Sequence, residues 1–306
     1  MEELKKQRYR NFIIVATVPV LLLYIMFMIV PIGQSFYYSL FEWSGFTTEM
    51  NPVGFQNYTS LVDDGVFLQT VVNTIKYVFI GGALILGITS LFTYAINNFK
   101  SDSLKRLVQT ILFVPNTIAP VALGIIWTFI FDPNWGLVPG SLRKIGLDVL
   151  NIGWLSDDHI FWAALSLLVW IHVGYFIVIF LAGADRIPIT LYESAELDGA
   201  TTWQRFTNIT MPLMRDVVEI CLSLWIVFSF KIFGYLYVFG AAGGIGYTPV
   251  PIRNISIQLF LTGFGKRMPI NKLGYACAMG VVLLLSVAFL VYLVRKLFGL
   301  IGSVEY

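Results

Sequence analysis

Few residues of this chain have the type and spacing to do covalent or metal chemistry. Its two histidines, His159 and His172, lie thirteen positions apart, and neither has a cysteine or carboxylate at metal-ligand spacing. Cys221 and Cys277 each sit inside an apolar run, where a thiol reads as a small buried hydrophobe rather than half of a disulfide. A phosphate-cradling Gly-x4-Gly-Lys-Ser/Thr is absent, and the nearest fragment, Gly263-Phe264-Gly265-Lys266, lacks its spacing. There is no Gly-x-Ser-x-Gly elbow and no His-Glu-x-x-His helix. The sequence therefore predicts no catalytic residue, no metal site and no nucleotide bound by the chain itself. What stands out instead are polar groups set into apolar runs: Pro115-Asn116-Thr117 followed by Pro120, then Trp170, His172 and Tyr175, then Ser229 and Lys231. Polar breaks of this kind, which lipid cannot satisfy, mark a transporter or channel rather than a simple anchor.

The elements that must position these groups follow from composition. Of 306 residues, 57% are hydrophobic and 12% charged, about half the charge of a soluble globular chain. Such a chain is an all-α integral membrane protein that needs a lipid bilayer around it. Its low charge excludes a disordered chain, and a net charge of +2 leaves no basic stripe for nucleic acid. A bilayer core of about 30 Å needs about 20 apolar helical residues. Windows of that kind predict six transmembrane helices, near 12–33, 77–98, 107–131, 160–184, 217–239 and 273–294, in one transmembrane domain covering 1–306. The 217–239 window is interrupted by Glu219 and Lys231. The first window follows Lys5, Lys6, Arg8 and Arg10 but is longer than a signal peptide's h-region, so it reads as an uncleaved anchor.

Six spans put both termini on one side. With the N-terminus inside, Lys5, Lys6, Arg8, Arg10, Lys100, Lys105, Arg106, Arg186, Arg205, Arg215, Arg295 and Lys296 fall inside, and only Arg143, Lys144, Arg253, Lys266, Arg267 and Lys272 fall outside. The excess predicts an N-in, C-in topology, with 185–216 as the longest inner loop.

That loop is patterned. Thr190-x-x-Glu193 reads as a capping box, with Pro188 before it and Gly199 placed to end a helix in a left-handed turn, so a short helix is expected over Thr190–Asp198. Thr201 or Thr202 can cap a second helix, whose Trp203 and Phe206 share a face, and Pro212 is expected to end it. Two short helices with a glycine between them form a rigid knob suited to docking. By periodicity alone a plain surface hairpin fits equally well.

The run from Ile187 to Pro212, with Glu193-Ser194-Ala195, Asp198-Gly199 and Trp203, resembles the EAA loop of binding-protein-dependent ABC importer permeases of the carbohydrate-uptake branch. The resemblance continues through Gly54-Phe55-Gln56-Asn57-Tyr58, Asn73-Thr74, Trp154-Leu155, Phe230-Lys231-Ile232-Phe233 and Gly243-Gly244. In that order it is similar to the first, maltose-type subunit of a permease pair. Ser194 replaces an alanine, and Gly234 and Ile245 stand where the family often has Asp and Pro. The resemblance implies a six-span ABC importer permease fold and a non-enzymatic subunit that imports a sugar or oligosaccharide. The implied partners are a second permease chain, two cytoplasmic ATPase subunits that bind the ATP, and an extracytoplasmic solute-binding protein. It further implies that Glu193, Ser194, Ala195, Asp198, Gly199, Trp203 and Pro212 couple to an ATPase, and that the solute path uses the third to fifth spans, which offer Asn116, Trp170, His172, Tyr175, Ser229 and Lys231. A self-sufficient secondary transporter or channel is the alternative, but the sequence shows no self-similar halves.

Overall fold

The structure, a computed structural model, describes residues 2–99, 101–147, 152–242, 248–265 and 272–300. Lys100, Gly243-Gly244, Ile245, Lys266 and Arg267, used above for charge and resemblance, lie outside the described residues. The chain is mostly helical. In order it forms α1 (Glu2–Tyr24), α2 (Val30–Tyr38), the short strands β1 (Phe41–Glu42) and β2 (Asn51–Pro52), α3 (Gln56–Asp63), α4 (Gly65–Lys76) and α5 (Gly82–Asn97). There follow α6 (Asp102–Phe113), α7 (Pro120–Ile130), α8 (Leu137–Lys144), α9 (Ile160–Ala184), α10 (Ile189–Leu197), α11 (Thr202–Arg205), α12 (Met211–Leu213), α13 (Arg215–Lys231), α14 (Gly234–Ala242), α15 (Ile255–Phe264) and α16 (Leu273–Gly299). Contacts divide it into two compact units, Met1–Asp64 with Leu259–Val282, and Gly65–Gln258 with Leu283–Tyr306.

Four helices among the described residues are long and apolar enough to cross a membrane: Lys5–Tyr38, Gly65–Asn97, Ile160–Ala184 and Leu273–Gly299. Three of them outrun the apolar windows at one or both ends, because a helix can continue into polar surroundings where an apolar window stops. Two of the six sequence windows are broken helices. The 107–131 window is not one rod: α6 and α7 meet at 99°. Pro115 opens a 3-10 turn over Val114–Thr117, and Ile118 and Ala119 are extended at ψ 139° and 134° before Pro120. Ala119, which precedes Pro120, is pushed out of the helical region, and with Ile118 also extended the chain turns. The 217–239 window likewise breaks after Lys231, where Ile232 takes ψ 115°.

Proline is also accommodated without a break. Wide π turns over Ile25–Ile29 and Phe206–Thr210 each end two residues before a proline, Pro31 and Pro212. In both, the residue before the proline reaches back five positions, from the Val30 N–H to the Ile25 carbonyl and from the Met211 N–H to the Phe206 carbonyl. Widening the turn moves aside the carbonyl that the proline ring would strike. Pro212 therefore does not end its helix, contrary to expectation; the chain bends two residues later, at Met214. A third π turn, Tyr77–Gly81, has a different cause: the Trp225 indole N–H is inserted against the Tyr77 and Val78 carbonyls at 3.2 and 3.0 Å.

Within the first unit, β1 and β2 pair antiparallel, Phe41 opposite Pro52 and Glu42 opposite Asn51. The Gly54–Tyr58 motif fastens this ladder. Asn57 Nδ2 donates to the Ser39 and Phe41 carbonyls at 2.7 and 3.0 Å, and the Tyr58 hydroxyl lies 2.6 Å from Ser39 Oγ.

Within the second unit α9 is the axis: 67% of its apolar window is buried, against 33% for Gly65–Asn97. Ile96, Ile177 and Leu181 form one buried cluster, and Leu123, Leu167 and Ile171 another. In lipid such contacts stabilise by close packing rather than by transfer from water. Close packing is carried furthest at Gly174, where a Cβ would lie 1.8 Å from the Leu112 carbonyl oxygen, so only glycine lets α6 approach α9 at this point.

Candidate functional site

The hairpin between α9 and α13 is held by local caps and by an aromatic seat on α5. α10 begins at Ile189 with Pro188 at its N-cap and no side-chain cap bond, which corrects the expected Thr190–Glu193 capping box. Thr190 sits at the second helical position, inside the first turn, and its carbonyl accepts from Ser194 Oγ at 2.9 Å. The far end follows expectation. Gly199 takes φ +79°, and the Gly199 and Ala200 amides donate to the Glu196 and Ala195 carbonyls at 3.0 and 2.9 Å, a paired left-handed cap. The capping box lies one helix further on, where Thr201 Oγ1 accepts from the Gln204 N–H at 3.3 Å and Gln204 Oε1 accepts from the Thr201 N–H at 2.8 Å.

Contacts then tie the two arms of the hairpin. Arg205 pairs with Glu196 at 2.7 Å, Tyr192 OH lies 2.9 Å from Thr210 Oγ1, and Trp203 and Phe206 pack on Tyr94 with ring centroids 5.1 and 5.3 Å away. The ion pair, open to solvent on its Glu196 side, contributes about 0–1 kcal/mol; the aromatic seat and the caps give the hairpin its shape. Its outer surface presents Glu193, Ser194, Leu197 and Asp198, all exposed, with Leu197 91% accessible. Ala195 is half-buried. Leu197 is thus an open apolar side chain flanked by the exposed Glu196 and Asp198.

The second site lies where α6, α9 and the broken end of α13 converge. A cavity of about 410 Å³ sits behind the hairpin, lined by Tyr94, Asn97, Lys105, Tyr192 and Arg205 among others. A separate cavity of about 480 Å³ brings together Asn116, His172, Tyr175 and Lys231 with Phe113, Phe228 and Tyr235. Asn116 Nδ2 donates to the Ile171 carbonyl at 2.9 Å. His172 Nδ1 lies 2.8 Å from the Leu168 carbonyl, which can only accept, so this nitrogen carries the proton and Nε2 is an acceptor.

Two expected path residues are not there. Trp170 stacks on Trp127 with centroids 4.9 Å apart and lines an apolar groove with Leu84, Phe92 and Val173. Ser229 is fully buried and donates back to the Trp225 carbonyl at 2.8 Å. Phe228 and Tyr235, which the sequence reading passed over, take their place. Phe228 lies three residues before Lys231, a spacing that puts both on one helical face.

The break after Lys231 is satisfied by a segment that sequence reasoning missed. Asn254 Nδ2 donates to the Ile232 and Ser229 carbonyls at 2.6 and 3.3 Å, and Ser256 Oγ to the Phe230 carbonyl at 2.5 Å. Asn73 Nδ2 holds the Val250 and Arg253 carbonyls at 2.8 and 3.1 Å, and Tyr77 OH the Ile252 carbonyl at 3.2 Å. Irregular backbone among apolar helices is tolerated only when it is paired in this way.

Apolar helices that carry broken but internally satisfied backbone, beside an open cavity of ring surface with a few polar groups, have the architecture of a membrane transport protein. Comparison with known proteins narrows that class: this chain belongs to the family described as binding-protein-dependent transport system inner membrane component, whose profile matches residues 83–299. It is a multi-pass membrane subunit of an ABC importer, with a transport role. It is 31% identical over 294 residues to the diacetylchitobiose uptake system permease protein NgcF of Streptomyces coelicolor, covering 91% of this chain and 80% of that one. It is 32% identical over 273 residues to the sn-glycerol-3-phosphate transport system permease protein UgpA of Yersinia pestis, covering 88% of each. Among solved structures, a bacterial ABC transporter involved in the import of the acidic polysaccharide alginate has the same fold, with a TM-score of 0.80 at 23% identity, over 98% of this chain and 100% of that one.

Proposed function

We propose that this chain is one of two different permease subunits of an importer for a sugar or oligosaccharide, with six spans and both termini inside. Two separate cytoplasmic ATPase subunits bind the ATP, and an extracytoplasmic protein delivers the solute. The sugar reading is supported by relatives named for diacetylchitobiose, arabinooligosaccharides and starch degradation products. A solved alginate transporter of this fold, in complex with a periplasmic protein carrying an alginate pentasaccharide, supports the delivery step. The six-span reading takes α6 with α7, and α13 with α14, as two broken spans beside the four long helices. The N-in reading rests on the excess of Lys and Arg beside the inner ends.

The observation that carries the mechanism is the hairpin. Glu193, Ser194, Ala195, Asp198, Gly199, Trp203 and Pro212 belong to an internally braced knob whose outer face is open, so a push on α10 is transmitted to α9 and α13 instead of being absorbed by the loop. Closure of the ATPases would then bias the spans between two states, with the loaded binding protein biasing them from the other side.

Single cysteines at the exposed positions Gln56, Asp157 and Gln204 test the topology. The first two should react with a membrane-impermeant thiol reagent on intact cells, and the third only after permeabilisation. Reaction of the Gln204 variant in intact cells would overturn the orientation.

A further inference from the structure

The cavity at the end of α13 holds one charge. Among the described residues, Lys231 is the only charged side chain in its lining, and no carboxylate faces it there. Among the described residues Lys231 is exposed and makes no ion pair, side-chain hydrogen bond or ring contact. The usual work of a lysine in a last helical turn, serving the free carbonyls, is already done: those of Ser229 and Ile232 are held by Asn254 and that of Phe230 by Ser256. Position 234, three residues on, where the family resembled often carries an Asp, is Gly234. A Cβ there would lie 3.1 Å from the Pro120 Cβ, so the approach of α7 leaves little space for any side chain, acidic or not.

Under the six-span reading Lys231 falls within the fifth span, where an ammonium group without a counter-charge in its own chain is costly and points to a solute path. The other polar groups of the cavity are suited to hydroxyls. His172 Nε2 is left as an acceptor by the bond its Nδ1 makes to Leu168, and the Asn116 carbonyl oxygen is left free to accept once its amide nitrogen is bound to Ile171. Tyr175, Phe228 and Tyr235 supply ring surface.

We infer that this cavity receives a polyhydroxylated solute bearing a negative charge, carboxylate or phosphate, with Lys231 as its counter-ion. The inference rests on the permease reading and sharpens its substrate class from sugar to anionic sugar. A neutral sugar would leave Lys231 without a counter-charge from the described residues of this chain.

Equilibrium binding of glucose, glucuronate and glucose 6-phosphate to the assembled, nucleotide-free importer in detergent tests it. At low salt, one or both charged sugars should bind about tenfold more tightly than glucose, as a charge-assisted hydrogen bond provides; which of them does so distinguishes carboxylate from phosphate. Lys231→Gln should erase the preference and Lys231→Arg should keep it. If Lys231→Gln does not assemble, wild-type protein gives the answer through salt, since raising ionic strength should shrink the preference. Equal affinities, tighter binding of glucose, no binding of either charged sugar, a preference that survives Lys231→Gln, or one insensitive to salt would each overturn the inference. Co-purification of an ATPase with the wild-type chain decides the permease reading separately, so failure of one is distinguishable from failure of the other.

Discussion

α10 ends by passing the Glu196 and Ala195 carbonyls to amides three and five residues further on, at Gly199 and Ala200. α13 ends by passing the Ile232 and Ser229 carbonyls to one side chain, Asn254, 22 and 25 residues away. The first end is exposed, and Asn254 is fully buried. Where solvent reaches, a local turn is enough, because water completes what the turn leaves open. Where it does not, every freed carbonyl needs a protein donor, and the chain brings one from a distant segment. The hairpin can therefore be rigid in itself, while the break at Lys231 is only as firm as the 250–258 segment that braces it.

The largest effect is expected from Asn254→Leu, which strands two buried carbonyls and removes the Oδ1 acceptor of the Ile257 N–H. A loss of about 2–5 kcal/mol follows from the penalty for unsatisfied buried groups, read as a lower unfolding temperature and poor recovery of the purified complex. Gly199→Val comes next: a Cβ in the left-handed region costs roughly 1–2 kcal/mol, and nothing lies within 4 Å of that Cβ, so the cost is conformational and confined to the hairpin. Transport and stimulated ATP hydrolysis should fall together while the unfolding temperature drops less than for Asn254→Leu. Thr201→Val removes the capping box at about 1 kcal/mol, and amides of Trp203–Phe206 should exchange faster with deuterium. Glu193→Ala breaks no side-chain hydrogen bond among the described residues and should change stability by less than about 0.5 kcal/mol, yet lower the stimulated ATPase rate. A comparable loss of stability from Gly199→Val and Asn254→Leu would erase the contrast between the two ends.

Much of the hairpin was legible in the sequence because its caps are short-range, whereas its seat on Tyr94 is carried by the tertiary fold. Gly199 after a helical run and Thr201 three residues before Gln204 are signals contained in a few positions. The capping box was placed one helix too early because Pro188 occupies the N-cap of α10 and pushes Thr190 into the first turn. In the cavity, His172 and Tyr175 were recoverable, and so was the exclusion of Trp170. At about 100° per residue, Trp170 and His172 lie about 200° apart around α9, on opposite faces. Asn254 was not recoverable: it follows Pro251 and Arg253 in a stretch with no strong pattern, and only the tertiary fold carries it to Ile232. The same holds for Ser229, whose hydroxyl could be known to turn back onto Trp225 only once α13 was seen packed.

Leu197 offers the most direct test of the hairpin as the joint with an ATPase, since it is the most open apolar side chain of that surface. A photo-crosslinking amino acid at Leu197, activated in the assembled importer, should join this chain to an ATPase subunit, and the same label at Ala182 on α9 should not. Crosslinking from Leu197 only to lipid, detergent or a permease chain while the ATPases remain bound would contradict the docking role.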